Sequence, residues 1–252
     1  MPETTVVVGA AQGIGAAVAR RLAADDQSGR LVLADVQGDL VEKLAAELRE
    51  AGRDVLAVET DITQSPSVDH LLEVSAGATR VALVAGVFQA KPSLEVEREE
   101  LARVLGVNLI GTYAVAQAYS RDMIGRGGGA ICAIGSIAAR MPRLRQAAYC
   151  ASKAGMRQAL RVLGMEVLPM GVRINFVAPG PTATEMMLAL AGDHQDRDLA
   201  QGSPEAFRPP IPDGRVGTPE DVAEAVAFLL SDRAAHIALH DLYVDGGESL
   251  GL

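Results

Sequence analysis

The 252-residue chain has no tryptophan, only four phenylalanines and four tyrosines, so aromatics make up 3 % of it. A core with so little ring area has to be filled by Ala, Val, Leu and Ile, as buried parallel strands and their covering helices require. Cysteine is nearly absent. Cys132 and Cys150 share no CxxC or ligand spacing, which excludes a disulfide framework and points to free thiols in a reducing cytosol. The four histidines, His70, His194, His236 and His240, are scattered, and no metal constellation emerges. Basic charge is in deficit: 23 Lys and Arg stand against 32 Asp and Glu, a net charge of −9. That balance argues against nucleic acid or an anionic membrane as partner. No uncharged apolar run approaches the roughly 18 residues of a membrane span. The start, MPETTVVVGAAQ, has no basic leader before its glycines, so the expectation is a cytoplasmic protein without a signal peptide.

What the chain does contain is alternation. Short apolar runs (TVVVGA, RLVLADV, DVLAVETD, RVALVAGV, GAICAIGS, VRINFVAPG, DLYVDGG) are separated by stretches of helical periodicity. Strand–helix alternation of this kind predicts an α/β fold: one Rossmann-type, doubly wound parallel sheet of about seven strands with helices on both faces. One long helix is expected over LARVLGVNLIGTYAVAQAYSRDMI. No linker interrupts the pattern, so residues 1–252 read as a single domain. The exception is 186–213, charged and proline-rich at its end. A weakly periodic segment of that length inside a compact domain is expected to be a lid over the sheet's C-terminal edge.

Between the first strand and first helix stands VGAAQGIG, with Gly9, Gln12, Gly13, Ile14 and Gly15. Glycines at such a turn let backbone approach a pyrophosphate, and the helix start offers unpaired N–H groups and a positive dipole end. The spacing is GxxxGxG rather than GxGxxG. Asp35 ends the second strand 20 residues after Gly15. A carboxylate there can accept hydrogen bonds from both ribose hydroxyls and repels a 2′-phosphate, which points to NAD rather than NADP.

The segment RQAAYCASK places Tyr149 four residues before Lys153. On a helix that spacing puts both side chains on one face, and an ammonium beside a phenol is expected to lower a pKa that starts near ~10. By itself such a pair fits a solvated helix surface equally well; its company decides. Ser136 ends the fifth strand, where α/β sheets bind ligands, and Asn108 lies in the preceding helical stretch. This set resembles the short-chain dehydrogenase/reductase family along essentially the whole chain. The matching features are GxxxGIG, Asp35, the pair Asp61-Ile62, Asn108, Ser136, Tyr149-x-x-x-Lys153 and APGPTATEM. The resemblance implies Tyr149 as general base, Ser136 holding the substrate oxygen, Lys153 on the nicotinamide ribose and Asn108 in a proton relay. It further implies cofactor contacts from Asp61, Ile62, Ala85, Gly86, Pro179, Gly180, Thr182 and Thr184. The chain departs from the family's usual pattern at Val8 and at Leu83-Val84-Ala85-Gly86, where an asparagine amide would normally tie strand to loop. The stretch between Asp61 and the fourth strand is also short for the family, so a truncated third helix is expected.

For the substrate, the ending HIALHDLYVDGGESLGL, the Met141-Pro142-Arg143 segment and PGPTATEM resemble the branch of the family that acts on dihydro-aromatic acids. That implies NAD-dependent oxidation of a ring alcohol on a small anionic cyclic substrate. Its amino congener, an unrelated ketone, and a non-catalytic redox-sensing role stand as alternatives. Arg140, Arg143 and Arg145 lie between Ser136 and Tyr149; a guanidinium is the usual partner of a carboxylate, and Arg143 is the expected one. Ser136 would hold the reacting oxygen, while Met186, Met187 and Leu190 fit a cover over an apolar ring and a helix packing face equally well. The family resemblance also implies a homotetramer or homodimer.

Overall fold

The structure is a computed structural model that describes residues 3–25, 29–185, 187 and 199–250. Its strands are β1 (Thr4–Val8), β2 (Arg30–Asp35), β3 (Val55–Glu59), β4 (Ala78–Leu83), β5 (Gly129–Ile134), β6 (Val172–Pro179) and β7 (Asp241–Val244). Its helices are α1 (Gly13–Ala23), α2 (Gly38–Glu50), α3 (Ser65–Val74), α4 (Arg98–Leu105), α5 (Thr112–Ile124), α6 (Ala147–Val167) and α7 (Pro219–Leu230). The seven strands form one parallel sheet in the order β3-β2-β1-β4-β5-β6-β7. Strand order reverses direction between β1 and β4, which opens a crevice at their C-terminal ends.

The period-2 alternation of strand side chains builds two cores. Val7, Leu31 and Leu33 face α1, α2 and α7 on one side. Val6, Val8, Val32 and Ala34 face the other, with α5 and α6 residues such as Val115, Met156 and Leu160. Aromatic scarcity shows here: among the largest fully buried side chains, only Tyr119 and Phe176 carry rings. Tyr119 keeps its hydroxyl satisfied by Ser75 Oγ at 2.6 Å. The helix α7 starts where its sequence says it should. Thr218 and Asp221 form a reciprocal capping box and Pro219 occupies the first turn, which satisfies donors that no helical carbonyl reaches.

One expectation changes in detail, and the truncated third helix is met. The single long helix is broken: Gly106–Gly111 forms a widened π-helical turn between α4 and α5. Gly111 makes this packing possible, since a Cβ there would stand 2.9 Å from both Ile62 Cγ1 and Ile62 O. The third helix, α3, is short, at ten residues. Of the expected lid, residues 186 and 188–198 lie outside the described residues, Met186 and Leu190 among them. Of the described remainder, 187 and 199–213, the end is rooted on the C-terminal turn, where Asp213 N donates to Gly246 O at 3.1 Å, and Ile211 N donates back to Ala200 O at 2.8 Å within the segment. No helix among the described residues is long and apolar enough to cross a membrane.

Candidate active site

The glycine loop runs from the end of β1 to the start of α1, and contacts across the crevice explain its glycines. Gly9 has φ +88°, and a Cβ on it would lie 2.3 Å from Ala85 N; one on Gly15 would lie 1.8 Å from Gly9 O. Gly13, at φ +53°, sits under Thr184 Cγ2, 3.3 Å from where its Cβ would be. The segment after β6 therefore lies over the loop at the C-terminal ends of the strands. Gln12 gives α1 no side-chain cap, and no acidic residue occupies its first turn, so its first amides are left to an anion. Ile14 packs against the core below. The absent asparagine of the strand-four motif is replaced by backbone: Val84 N and Ala85 N both donate to Val8 O at 2.8 Å.

Asp35 is 9 % exposed and braces the same loop, accepting from Ala11 N at 2.9 Å and Gln37 N at 3.0 Å. Asp61 is occupied locally, its Oδ1 accepting from both Thr63 N (2.9 Å) and Thr63 Oγ1 (2.7 Å), while Ile62 is buried under the π turn. Beyond β6, Pro179 ends the strand and Gly180 N donates to Val244 O at 3.0 Å. Thr182 Oγ1 turns back to Gly180 O at 3.1 Å, and Thr184 Oγ1 accepts from Met187 N at 3.2 Å.

The candidate site residues gather beyond the C-terminal ends of β4 and β5. The π turn presents Asn108, fully buried; it exchanges hydrogen bonds with the Val87 backbone, both at 2.8 Å. Its amide also donates to Ser152 Oγ at 3.0 Å, and Ser152 donates to Tyr149 O at 2.7 Å. This chain fixes the first turn of α6 relative to β4. Wide turns of this type recur at functional sites because they re-aim side chains. Gly86 completes the floor, a Cβ there standing 3.3 Å from Asn108 Oδ1 and 3.6 Å from Lys153 Nζ.

Ser136 follows β5 in extended backbone, its Oγ accepting from Ala138 N at 3.1 Å. Tyr149 is half-buried, its ring 4.7 Å from that of Phe88 at 52°. Lys153 is 4 % exposed and donates to Ile134 O at 2.8 Å. Its Nζ lies 5.9 Å from the Tyr149 ring centroid.

One expectation about this pair is corrected. Burial pushes the Tyr149 phenol above its ordinary pKa, and a hydrogen bond with Ser136 pulls against that rise without reversing it. Burial also lowers Lys153, to about 8. Desolvation disfavours whichever form is charged, and it is the largest cause of both shifts.

The Lys153 shift has a consequence for stability. The folded pKa of about 8 lies below the ordinary 10.5, so above pH 8 the unfolded chain binds more protons and folding stability rises with pH. Above pH 9 Cys132 opposes this, because burial raises its thiol from 9.0 to about 12. Wild type is therefore expected to gain about 1 kcal/mol over Lys153→Met between pH 8 and pH 9. Denaturant unfolding of both at the two pH values checks it; parallel behaviour refutes the buried-ammonium assignment.

Arg143 does not stand as the free guanidinium that the sequence leads one to expect. Its Nη2 donates to Glu248 Oε1 at 2.7 Å, and Arg208 Nε meets the same oxygen at 3.3 Å. The Glu248 side chain is 0 % exposed and that of Arg143 10 %; a cation so enclosed needs a counter-ion. Glu248 and Arg208 were not legible beforehand, since they lie 105 and 65 residues from Arg143. Ser152 and Phe88 were also missed. Ser152 had a signal in its place beside Lys153, and Phe88 had none.

A family model described as enoyl-(acyl carrier protein) reductase matches residues 9–249. The chain is 36 % identical over 251 residues to a 2,3-dihydro-2,3-dihydroxybenzoate dehydrogenase of Bacillus subtilis, spanning 98 % of this chain and 95 % of that protein. It is 35 % identical over 252 residues to the vibriobactin-specific 2,3-dihydro-2,3-dihydroxybenzoate dehydrogenase of Vibrio cholerae, spanning 97 % and 95 %. A solved short-chain dehydrogenase/reductase family protein superposes with a TM-score of 0.88 at 30 % identity, covering 98 % of this chain and 97 % of the other.

Proposed function

The chain belongs to the short-chain dehydrogenase/reductase family, and on that footing we propose that it oxidises 2,3-dihydro-2,3-dihydroxybenzoate to 2,3-dihydroxybenzoate with NAD. The observation that carries the reading is the convergence of Asn108, Ser136, Tyr149 and Lys153 beside the glycine loop, in a chain 36 % identical to a dehydrogenase of that name. The residues fit a dinucleotide: Gly9, Gly13 and Gly15 leave backbone accessible at an uncapped helix start, and Asp35 faces the same loop. A carboxylate at that position supports NAD over NADP, because it would meet a 2′-phosphate with like charge.

When bound, the nicotinamide supplies the hydride acceptor. The chain's own work is proton management. Ser136 Oγ orients the ring alcohol, and the Tyr149 phenolate oxygen takes the hydroxyl proton as the carbon gives up its hydride. The Lys153 ammonium, held on Ile134 O, supplies the positive charge that makes the phenolate accessible near neutral pH. The resulting ring ketone tautomerises to an aromatic phenol, which makes the oxidation effectively irreversible. Arg143, Arg208 and Glu248 together carry one net positive charge beside the loop that leads to Tyr149, which supports an anionic substrate. The reading includes a homodimer or homotetramer; Val162 and Met165 on α6 are apolar and 50 % and 66 % exposed.

Steady-state assays of the dihydroxy acid and of trans-2,3-dihydro-3-hydroxyanthranilate, each with NAD and NADP, test the proposal. The expected result is turnover of the first with NAD and a kcat/KM at least about tenfold lower with NADP. Absence of turnover with either acid refutes the substrate.

A further inference from the structure

Four phenylalanines and four tyrosines make up the chain's aromatic residues, and core packing accounts for most of them but not for Phe88. Tyr119 and Phe176 are fully buried inside the core, and Tyr113 and Phe228 pack against it from outside. Phe207 is exposed on the 199–213 segment, and Tyr243 belongs to β7. Phe88 is part of neither core. It stands half-buried after β4, its ring centroid 4.7 Å from that of Tyr149 and its plane tilted by 52°. Rings at that separation and tilt attract one another.

The segment that carries this ring is held on both sides. The Asn108 amide bonds both Val87 N and Val87 O at 2.8 Å. Gln89 is buried, and its Nε2 donates to Lys91 O at 3.3 Å. Lys91 N in turn donates to Arg145 O at 2.7 Å, which ties the segment to the loop before Tyr149. Arg145 accepts that bond on left-handed backbone, at φ +65°, a conformation that a non-glycine residue keeps only when its surroundings impose it. A side chain fixed in this way loses little freedom when a ligand arrives.

On the reading that Tyr149 accepts the proton of a ring alcohol, the substrate's six-membered ring stands beside that phenol, and Phe88 is the aromatic side chain set against it. We propose that Phe88 is a specificity-determining residue: its ring is the face on which the substrate ring lies, and it favours flat, conjugated rings over saturated ones. A cyclohexadiene is flatter than a saturated ring, and its aromatic product is flat throughout. A saturated ring carries axial hydrogens on both faces, which hold its carbons away from a wall. Ring against ring also adds attraction beyond the area buried. The aromatic product therefore gains more from Phe88 than a saturated analogue does.

The test is isothermal calorimetry of the NADH-saturated wild type and Phe88→Leu with two carboxylates, 2,3-dihydroxybenzoate and its saturated counterpart 2,3-dihydroxycyclohexanecarboxylate. Leucine keeps an apolar side chain there and removes the ring. Phe88→Leu is expected to weaken the aromatic acid about fivefold and the saturated acid less than about twofold, with NADH affinity unchanged. Phe88→Tyr, which keeps a ring, should bind the aromatic acid within about a factor of two of wild type. Equal losses for both acids, no loss for either, or no binding of the aromatic acid by wild type overturns the proposal. A parallel loss of NADH affinity in Phe88→Leu also overturns it, by making the ring a packing element. Failure of wild type to turn over the dihydroxy acid refutes the proposed reaction instead, and the two affinities still decide the role of Phe88.

Discussion

Tyr149→Phe is expected to lower turnover by at least about a thousandfold while leaving cofactor affinity within a factor of about two. The substitution deletes one oxygen. The ring of residue 149 keeps its contact with Phe88, and the Ser152 bond to the residue 149 carbonyl is a backbone contact that phenylalanine preserves. The scaffold should therefore survive and the proton acceptor should not. Burial raises the phenol, so it ionises less readily than a free phenol would. The proposed mechanism accordingly needs Lys153 charged, and Lys153→Met should lose activity nearly as completely as Tyr149→Phe. Stopped-flow measurement of hydride transfer, paired with titration of cofactor fluorescence, separates chemistry from binding. Survival of more than about a tenth of wild-type turnover in Tyr149→Phe would remove the phenol from the mechanism.

The largest expected stability change comes from a residue far from the motif. Glu248→Ala strips the carboxylate from Arg143 and Arg208, whose side chains are 10 % and 17 % exposed. Removing one partner of a buried ion pair typically costs about 3–5 kcal/mol, because the remaining charge stays in low dielectric. For a domain of this size that corresponds to a fall in Tm of about 10 °C. Glu248→Gln should recover part of the loss, since an amide oxygen still accepts from both guanidiniums. Scanning calorimetry of the two variants measures the difference. A fall under about 2 °C in Glu248→Ala would show that the trio is solvated in solution. The contact joins three distant segments: the loop before Tyr149, the root of the expected lid, and the C-terminal turn. Its loss should therefore also weaken protection of 199–213 in hydrogen exchange.

Much of the molecule was legible because its signals are local. Apolar runs of strand length between helical periods give seven parallel strands, since no other layer arrangement buries both faces of such runs. Glycines at the end of β1 mark a tight loop, and the structure explains Gly9 and Gly15 by a backbone atom where a Cβ would be, and Gly13 by its positive φ beneath Thr184. Tyr149 and Lys153 share a helix face because they are four apart, and Ser136 falls at a strand end because β5 ends there. The π turn at 106–111 was not legible as such: periodicity continues through it, and only packing of Gly111 on Ile62 displaces the ladder.

The sequence by itself determined the fold class, the position of the glycine loop and the membership of the candidate site, because each rests on spacing within one element or its immediate neighbour. Tertiary structure alone decided the charge environment. It set Arg143 on Glu248 across 105 residues, gathered Arg140, Arg157 and Arg161 at the edge of β7, and reversed the expected direction of the Tyr149 shift. Burial and ion pairing depend on which distant segments meet, and no spacing along a chain records how much water a folded protein excludes from a given side chain.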